Sequence, residues 1–382
     1  MVKRDGKLPT ETLVGGIIIK AAVLYEVGKP LVIEEVQLDP PKAGEVHVKI
    51  GGAGICRSDL HFIKGHDEHR LPVVLGHEGS GTVLDVGENV TRVKPGDRVI
   101  LSFVPFCGRC NNCLNGRANL CDTHAATGGT LFDGTTRLHK GKTEIFHMGK
   151  VSCFAQEAVV PETGCIPIAF DFPLPQAALI GCCVPTGVGA VMFNAKISPG
   201  STVLVVGVGG VGLNVVQGAR LLNASKIIAI DNNDSALEFA TKFGVTHAIN
   251  PTQQDPIQAV KDITGGSGVD YAFEAFGSSE TVHTAYNSVR KGGTVIVVGL
   301  TPLGNHVTID ANKMTRQEIT LKGTYYGSVR PAVDMPTMVD LYRAGKIDID
   351  NLITRTYKLD DINKAYQDME KGQIGRGVIT QF

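Results

Sequence analysis

The chain has 382 residues, 43% of them hydrophobic and 20% charged, which excludes wholesale disorder and allows two or three domains. Its 37 basic and 38 acidic residues give a formal net charge of -1, so the basic excess typical of nucleic-acid-binding proteins is missing. Residues 1–12 are polar, the apolar run 13–19 is short, and the longer runs 177–193 and 202–213 are interrupted, so neither an export signal nor a membrane span is predicted. Nine cysteines in such a chain indicate a cytoplasmic protein whose thiols serve as ligands or core residues rather than as disulfides.

Two patterns of short apolar runs divide the chain. The first third alternates such runs with turns, which predicts antiparallel strands at residues 20–25, 46–50, 81–86 and 98–101. After residue 201 the pattern becomes strand–helix–strand, which predicts a parallel sheet with strands at 202–206, 226–230, 270–273 and 294–298. The helices between and after these strands are expected at 212–222, 235–243, 256–264 and 281–289. Because another helix (332–342) and a strand–helix–strand tail follow, the parallel sheet is expected to interrupt a second domain.

A glycine-rich turn follows the first parallel strand. Its members are Gly207, Val208, Gly209, Gly210, Val211 and Gly212. Gly207 allows a tight turn, Gly209 lets the backbone approach a pyrophosphate, and Gly212 allows close packing of helix on sheet. Asp231 ends the next strand and would accept hydrogen bonds from ribose hydroxyls while repelling a 2′-phosphate, which favours NAD over NADP. The alternative is an ordinary βα turn, with Asp231 as a helix cap.

Four cysteines form a C-x2-C-x2-C-x7-C set, namely Cys107, Cys110, Cys113 and Cys121. Such spacing wraps a short loop around one tetrahedral Zn²⁺ and leaves no open position, so it predicts a structural zinc site. The residues between the thiols are too polar for a core. An iron–sulfur cluster or a nucleic-acid zinc ribbon would use a similar set of thiols, and the spacing leaves both open.

Further candidate ligands are dispersed along the chain. They are Cys56, His77, Glu78 and either Cys182 or Cys183. Each alone is typical of a buried core, but together with a dinucleotide motif they supply a Cys₂His set that leaves one zinc position open for substrate.

The motifs resemble those of the zinc-dependent medium-chain alcohol dehydrogenases with a long structural-zinc lobe. Gly-Ile-Cys-Arg-Ser-Asp (54–59), Gly-His-Glu-Gly-Ser-Gly (76–81), the cysteine lobe, Thr-Gly-Val-Gly (186–189) and the glycine-rich turn (207–212) occur in family order. The resemblance implies an α/β fold in which a GroES-like, β-rich catalytic domain is split around an inserted Rossmann domain, a doubly wound parallel sheet. The expected segments are 1–183 for the first catalytic part with its lobe at 105–123, 184–325 for the Rossmann domain, and 326–382 for the second catalytic part.

The resemblance also assigns roles to residues. It implies a catalytic zinc on Cys56, His77 and Cys182, the last preferred over Cys183 by its distance from Thr186. It implies a proton relay of Ser58 and His61, a hydrogen bond between Asp59 and His77, and a second carboxylate, Glu78, beside the metal. The implied cofactor-binding residues are Arg57, Thr186, Gly207, Gly209, Gly210, Val211, Gly212, Asp231 and Arg376. The implied substrate pocket contains Ser58, Phe103, His147, Met148, Leu300 and Tyr325, with a solvent-facing His147 as the alternative.

The function implied is an NAD-linked alcohol dehydrogenase with two Zn²⁺ per chain. It would interconvert a primary medium-chain or aromatic alcohol and its aldehyde by hydride transfer through a zinc alkoxide. The tail resembles that of actinobacterial enzymes that depend on a nitroso dye and keep NAD bound, so a nicotinoprotein is one alternative. A catalytically silent zinc- and nucleotide-binding protein is another. The glutathione-dependent formaldehyde class is disfavoured because Ala125 replaces its arginine. A homodimer or homotetramer is expected, with residues 295–300 and 307–309 pairing edge to edge.

Overall fold

The computed structural model describes residues 16–372 and 374–382, so the expected absence of an export signal at 1–12 lies outside the described residues. Its strands are, in chain order, β1 (Ile17–Leu24), β2 (Val32–Leu38), β3 (Glu45–Gly54), β4 (Val73–Val74), β5 (Gly79–Val86), β6 (Arg98–Leu101), β7 (Leu138–Lys140), β8 (Thr143–His147), β9 (Glu157–Pro161), β10 (Cys165–Ile168), β11 (Thr202–Val206), β12 (Lys226–Ile230), β13 (His247–Ile249), β14 (Val269–Glu274), β15 (Val289–Val297), β16 (Thr320–Gly323), β17 (Ile353–Lys358) and β18 (Arg376–Gln381).

The α-helices lie mostly in the second half of the chain. They are α1 (Arg57–Lys64), α2 (Asn111–Leu114), α3 (Asp122–Ala126), α4 (Leu174–Ile180), α5 (Cys183–Gly189), α6 (Gly210–Leu221), α7 (Asp234–Thr241), α8 (Pro256–Ile263), α9 (Ser279–Ser288), α10 (Ala311–Arg316), α11 (Pro331–Arg343) and α12 (Ile362–Glu370). A π-helical turn, Ala190–Ala195, continues α5.

The antiparallel region forms a closed barrel and a mixed sheet. The barrel has the order β1-β2-β7-β8-β4, and the sheet has the order β10-β6-β5-β3-β18-β17, with β9 also pairing β3. Strand β18 comes from the far end of the chain, yet its Val378 and Ile379 pair with Gly54 and Ala53 of β3. The chain therefore returns to its first sheet after the parallel sheet, as the predicted split fold requires. The expected boundaries at 183/184 and 325/326 stay predictions.

The parallel sheet has six strands in the order β13-β12-β11-β14-β15-β16. Strand β11 shows why it is covered on both faces: Val203 and Val205 belong to one hydrophobic cluster, and Leu204 and Val206 to another. Successive side chains of a strand point to opposite faces, so an unbroken apolar run requires helices on both sides. Helix α6 packs in the first cluster and α9 in the second. The predicted fold class is confirmed.

The predicted edge pairing through residues 295–300 is wrong. Strand β15 pairs with β14 on one side and with β16 on the other, so Val295 has strand neighbours on both sides. Residues 307–309 lie in no strand, and the edge strands of this sheet are β13 and β16. The expected oligomer, and the part of residues 307–309 in it, stay predictions.

Across the described ranges, no single helix has the length and apolar character needed to cross a membrane. One bent pair, α4 with the helix Cys183–Ala195, passes the same test of length and composition.

Candidate functional site

Four buried side chains meet where the mixed sheet faces the parallel sheet. Cys56 caps the start of α1, His77 and Glu78 precede β5, and Cys182 lies between α4 and α5. Their ligand atoms lie within 4.8 Å of one another. Hydrogen bonding from the Cys182 thiol holds the pKa of Cys56 well below its usual range. Two thiol groups and an imidazole at this spacing fit tetrahedral Zn²⁺ with one remaining position.

Asp59 orients the imidazole of this cluster. Its Oδ1 lies 3.2 Å from Nδ1 of His77 and accepts a hydrogen bond of 2.9 Å from the backbone N–H of Gly76. Asp59 is fully buried. A carboxylate on one ring nitrogen directs the other toward a metal, so the pair behaves as in metal sites.

The structure separates the two adjacent cysteines. Cys182 belongs to the cluster, whereas the Cys183 thiol donates to the carbonyl of Leu179 at 3.6 Å and accepts from the amide of Asn214. The distance of Cys182 from Thr186 in the sequence also favours Cys182 over Cys183 as the ligand.

Glu78 and Arg376 form a buried ion pair that links the metal cluster to the dinucleotide motif. Burial raises the pKa of Glu78 to about 7, against the opposing charge of Arg376. On its other side Arg376 lies on the glycine-rich turn, since a Cβ added at Gly210 would be 2.2 Å from its Cδ. Arg376 therefore lies between the two sites that the sequence predicts.

The four lobe cysteines also converge, with Sγ atoms within 4.8 Å of one another. The Cys121 sulfur accepts hydrogen bonds from the backbone N–H groups of Cys107 (3.3 Å) and His124 (3.5 Å). Such bonds stabilise thiolates, so the lobe fits a closed zinc site.

The glycine-rich turn has the predicted geometry. Gly207 has φ +88°, which favours glycine, and a Cβ on Gly212 would be 1.9 Å from the Gly207 carbonyl oxygen. Gly209 faces open space, with no atom within 4 Å of an added Cβ. The turn therefore leaves room for a pyrophosphate at the start of α6.

Asp231 lies against this turn. Its Oδ2 accepts from the backbone N–H of Val208 at 3.0 Å, and its Oδ1 accepts from that of Asn233 at 3.0 Å. The cap of α7 is Asn233, so the alternative of Asp231 as a helix cap is wrong.

Thr186 and Val211 lie where α5 packs on α6. A Cβ on Gly187 would be 2.5 Å from both the Val211 carbonyl oxygen and the Asn214 Cβ, so the helices touch at that glycine. The Thr186 hydroxyl is 4.0 Å from the Cys182 sulfur, between the metal cluster and the dinucleotide turn.

Sequence reasoning missed Phe276, which follows β14. Its Cβ is 3.1 Å from a Cβ added at Gly207, and the Arg57 guanidinium lies over its ring at 4.8 Å. Its place after a parallel strand could have revealed it, because ligands bind beyond the carboxyl ends of such strands.

Ser58 and His61 are three residues apart on α1, a spacing that puts both on one face. The Ser58 Oγ is 3.7 Å from the Cys56 sulfur, and the His61 ring contacts the His66 ring at 5.5 Å. Burial, with the nearby charges of His66 and Arg57, lowers the pKa of His61. The pair leads from the metal cluster toward the surface.

The expected substrate pocket is only partly assembled. Phe103 contacts His77 at 5.3 Å and Tyr325 at 6.1 Å, measured between ring centroids, while Leu300 is half exposed in the same cleft as Tyr325. Met148 is buried in the barrel core.

His147 faces neither solvent nor this cleft. Its side chain is fully buried, and its Nε2 accepts a hydrogen bond from the Arg137 backbone at 3.1 Å. Burial and neighbouring charges lower the pKa of the ring to about 3. The ring belongs to the barrel, so its predicted pocket role and the solvent-facing alternative are both wrong.

Comparison with known sequences agrees with this geometry. A family model described as "Alcohol dehydrogenase GroES-like domain" matches residues 42–170, and one described as "Zinc-binding dehydrogenase" matches residues 210–344. The chain is 41% identical to the NDMA-dependent alcohol dehydrogenase of Amycolatopsis methanolica, covering 94% of this chain and 98% of that protein. It is also 41% identical to the S-(hydroxymethyl)glutathione dehydrogenase of Paracoccus denitrificans, covering 94% and 99%.

Solved structures share the whole fold. Benzyl alcohol dehydrogenase from Acinetobacter calcoaceticus superposes with a TM-score of 0.91 at 33% identity, covering 96% of this chain and 100% of that one. A zinc-binding dehydrogenase from Sinorhizobium meliloti 1021, bound to NADP, has a TM-score of 0.78 at 27% identity, covering 95% and 99%.

A buried thiolate–imidazole cluster beside a dinucleotide-binding sheet defines a metal-dependent dehydrogenase. The chain belongs to the zinc-dependent medium-chain alcohol dehydrogenase family, whose members are oxidoreductases that use a nicotinamide cofactor. The resemblance drawn from the sequence is confirmed.

Proposed function

We propose that this enzyme oxidises primary alcohols to aldehydes, and reduces the aldehydes, with NAD. The observation that carries the proposal is the Glu78–Arg376 pair, which joins the Cys56–His77–Cys182 cluster to the turn at Gly210. A substrate at the metal position would thus lie beside the cofactor-binding turn, as hydride transfer requires.

When bound, zinc at this cluster supplies Lewis acidity that makes the alcohol oxygen easier to deprotonate, and the nicotinamide accepts the hydride. Cys56, His77 and Cys182 would hold this zinc, and Cys107, Cys110, Cys113 and Cys121 a second, structural one. Glu78, whose carboxylate lies beside the first set, would be a further oxygen ligand within reach of that zinc.

The chain's own residues move the alcohol proton. The Ser58 hydroxyl, on the metal side of α1, would accept it while releasing its own proton toward the surface, where His61 on the same helix face is the final acceptor. The lowered pKa of His61 keeps its ring neutral and able to accept a proton at neutral pH.

NAD rather than NADP is proposed because of Asp231. Its carboxylate lies at the glycine-rich turn, where it can accept from ribose hydroxyls and repel a 2′-phosphate. Arg57 and Arg376 supply positive charge on either side of that turn for the pyrophosphate.

The test is a substrate series on purified enzyme, with zinc and bound nucleotide measured beforehand. Turnover of medium-chain and benzyl alcohols with NAD, above ethanol in kcat/KM, is expected because each buried methylene contributes about 0.8 kcal/mol. An optimum at ethanol, or equal rates with NADP, would contradict the proposal.

A second candidate is an enzyme that keeps its cofactor bound and recycles it in place. The 41% identity to an NDMA-dependent alcohol dehydrogenase favours it. Nucleotide released only on denaturation, and turnover only with an added nitroso acceptor, would establish this form.

A further inference from the structure

A cleft of about 910 Å³ opens between the cysteine lobe and the end of the parallel sheet. The lobe contributes Arg117, the turn after the π-helix contributes Lys196, and strand β16 contributes Lys322. Tyr325 lies on its wall, with 42% of its surface exposed. None of the predicted roles uses the three cationic residues.

All the charged residues that line this cleft are cationic. Three of its lining residues are cationic and none is an aspartate or glutamate. Among the described residues, no carboxylate lies within ion-pair distance of Arg117, Lys196 or Lys322. In a chain with net charge -1, three cations that face one cleft without counter-ions create a local positive potential that attracts an anion.

A hydrogen bond holds the Lys322 ammonium in position. Its Nζ donates to the backbone carbonyl of Asn194 at 2.7 Å, which leaves two of its three N–H donors for another acceptor. The Asn194 amide in turn donates to the Ser328 hydroxyl at 2.9 Å. Burial and the neighbouring charge of Lys196 lower the pKa of Lys322, and a bound anion would relieve that repulsion.

Aromatic rings connect the cleft to the metal cluster. The Tyr325 ring lies edge-on to Phe103 at 6.1 Å, and Phe103 lies edge-on to His77 at 5.3 Å. The wall of the cleft is therefore two ring contacts away from the metal cluster.

We propose that the cleft binds an anionic group at the far end of the substrate, so that the substrate class is alcohols with a remote carboxylate or phosphate. This inference rests on the proposed alcohol oxidation, and the anion itself is unchanged by the reaction. The cofactor's phosphates have a separate place at the turn around Gly209, so they do not account for these cations.

The test compares ω-hydroxycarboxylates of increasing chain length with the matching ω-hydroxyamides and with ω-hydroxyalkyl phosphates. At the best length the acid should exceed the amide about tenfold in kcat/KM, because a hydrogen bond between charged groups contributes about that factor. Arg117→Gln and Lys322→Gln should each reduce the acid-to-amide ratio toward one. Lys346→Gln, which removes an exposed cation outside the cleft, should leave the ratio unchanged. The phosphate arm shows which anion fits better.

Salt provides a second readout. Added salt should lower kcat/KM for the anionic substrates and leave the amides unaffected, because partly exposed charges are screened. Equal efficiency for acid and amide at every length, or a ratio that survives both substitutions, would overturn the inference while leaving alcohol oxidation intact.

If no alcohol is turned over with NAD or with a nitroso acceptor, the proposed function fails instead. Calorimetry of ω-hydroxycarboxylate binding to the zinc-loaded protein then tests, independently of turnover, whether the cleft binds the anion. Binding that weakens in Arg117→Gln but not in Lys346→Gln supports it, and binding equal to that of the amide refutes it.

Discussion

The two cysteine clusters differ in how the chain builds them. The lobe set lies within fifteen consecutive residues, and three of its four thiols are partly exposed. The central set comes from three segments between residues 56 and 182, and all its members are buried. A short loop can wrap a metal by itself, whereas a dispersed site needs the packed fold before its ligands meet. The lobe should therefore contribute to stability, and the central cluster to chemistry.

The largest expected effect comes from separating the adjacent thiols of the central cluster. Cys182→Ser should lower the zinc content by one and kcat about 1,000-fold, since metal Lewis acidity contributes several kcal/mol. Cys183→Ser, its matched control, should keep both, because that thiol lies outside the metal cluster and forms hydrogen bonds with Leu179 and Asn214. Metal analysis and steady-state kinetics on both variants give the answer; equal losses would put both thiols at the metal.

Substitution of a lobe cysteine should lower the stability of the protein, whereas substitution in the central cluster lowers its activity. Cys110→Ser should remove one zinc and lower the free energy of unfolding by several kcal/mol, because a closed site contributes folding energy. Zinc content and denaturant unfolding measure this. Asn111→Ser, an exposed change in the same lobe, is the control. A variant that lacks zinc and is as stable as the parent would rule out a structural site.

The dinucleotide site is intermediate between the lobe and the central cluster. Its glycine-rich turn consists of consecutive residues, but it also needs the carboxylate of Asp231 from the end of the next strand. Asp231→Ala should shift the NAD-to-NADP ratio of kcat/KM about 100-fold toward NADP, because juxtaposed like charges cost several kcal/mol. Asp234→Ala, on the neighbouring helix, should not shift it. The proposed role of Asp231 fails if the ratio is the same in parent and variant.

The smallest effect concerns the proton path. Neutral His61 is the accepting form, and a lowered pKa means that it stays neutral to lower pH than an ordinary histidine. The acid limb of kcat/KM should therefore lie below the usual histidine range. His61→Gln should abolish that limb and lower the plateau about tenfold. His66→Gln removes a charge that lowers the pKa of His61, so it should move the limb to higher pH; a profile that neither change alters excludes the relay.

The sequence allowed a good prediction of the parallel sheet. Strands β11 and β12 have the bounds that the sequence predicted. An unbroken apolar run between turns can adopt few conformations other than a buried strand. It failed at His147, because one polar residue in an apolar stretch does not reveal whether its partner is a ligand or the backbone of Arg137. It also failed at residues 295–300, because strand order within a sheet depends on contacts distant in sequence.

The sequence by itself determined what depends on short spacing: the cysteine lobe and the glycine-rich turn. In each, a few consecutive residues set the geometry through backbone limits. The tertiary structure alone decided that Arg376 reaches Glu78, 298 positions earlier in the sequence, and that three cations face one cleft. Those contacts join residues far apart in sequence, and only the burial of several apolar faces together brings such residues within a few ångströms.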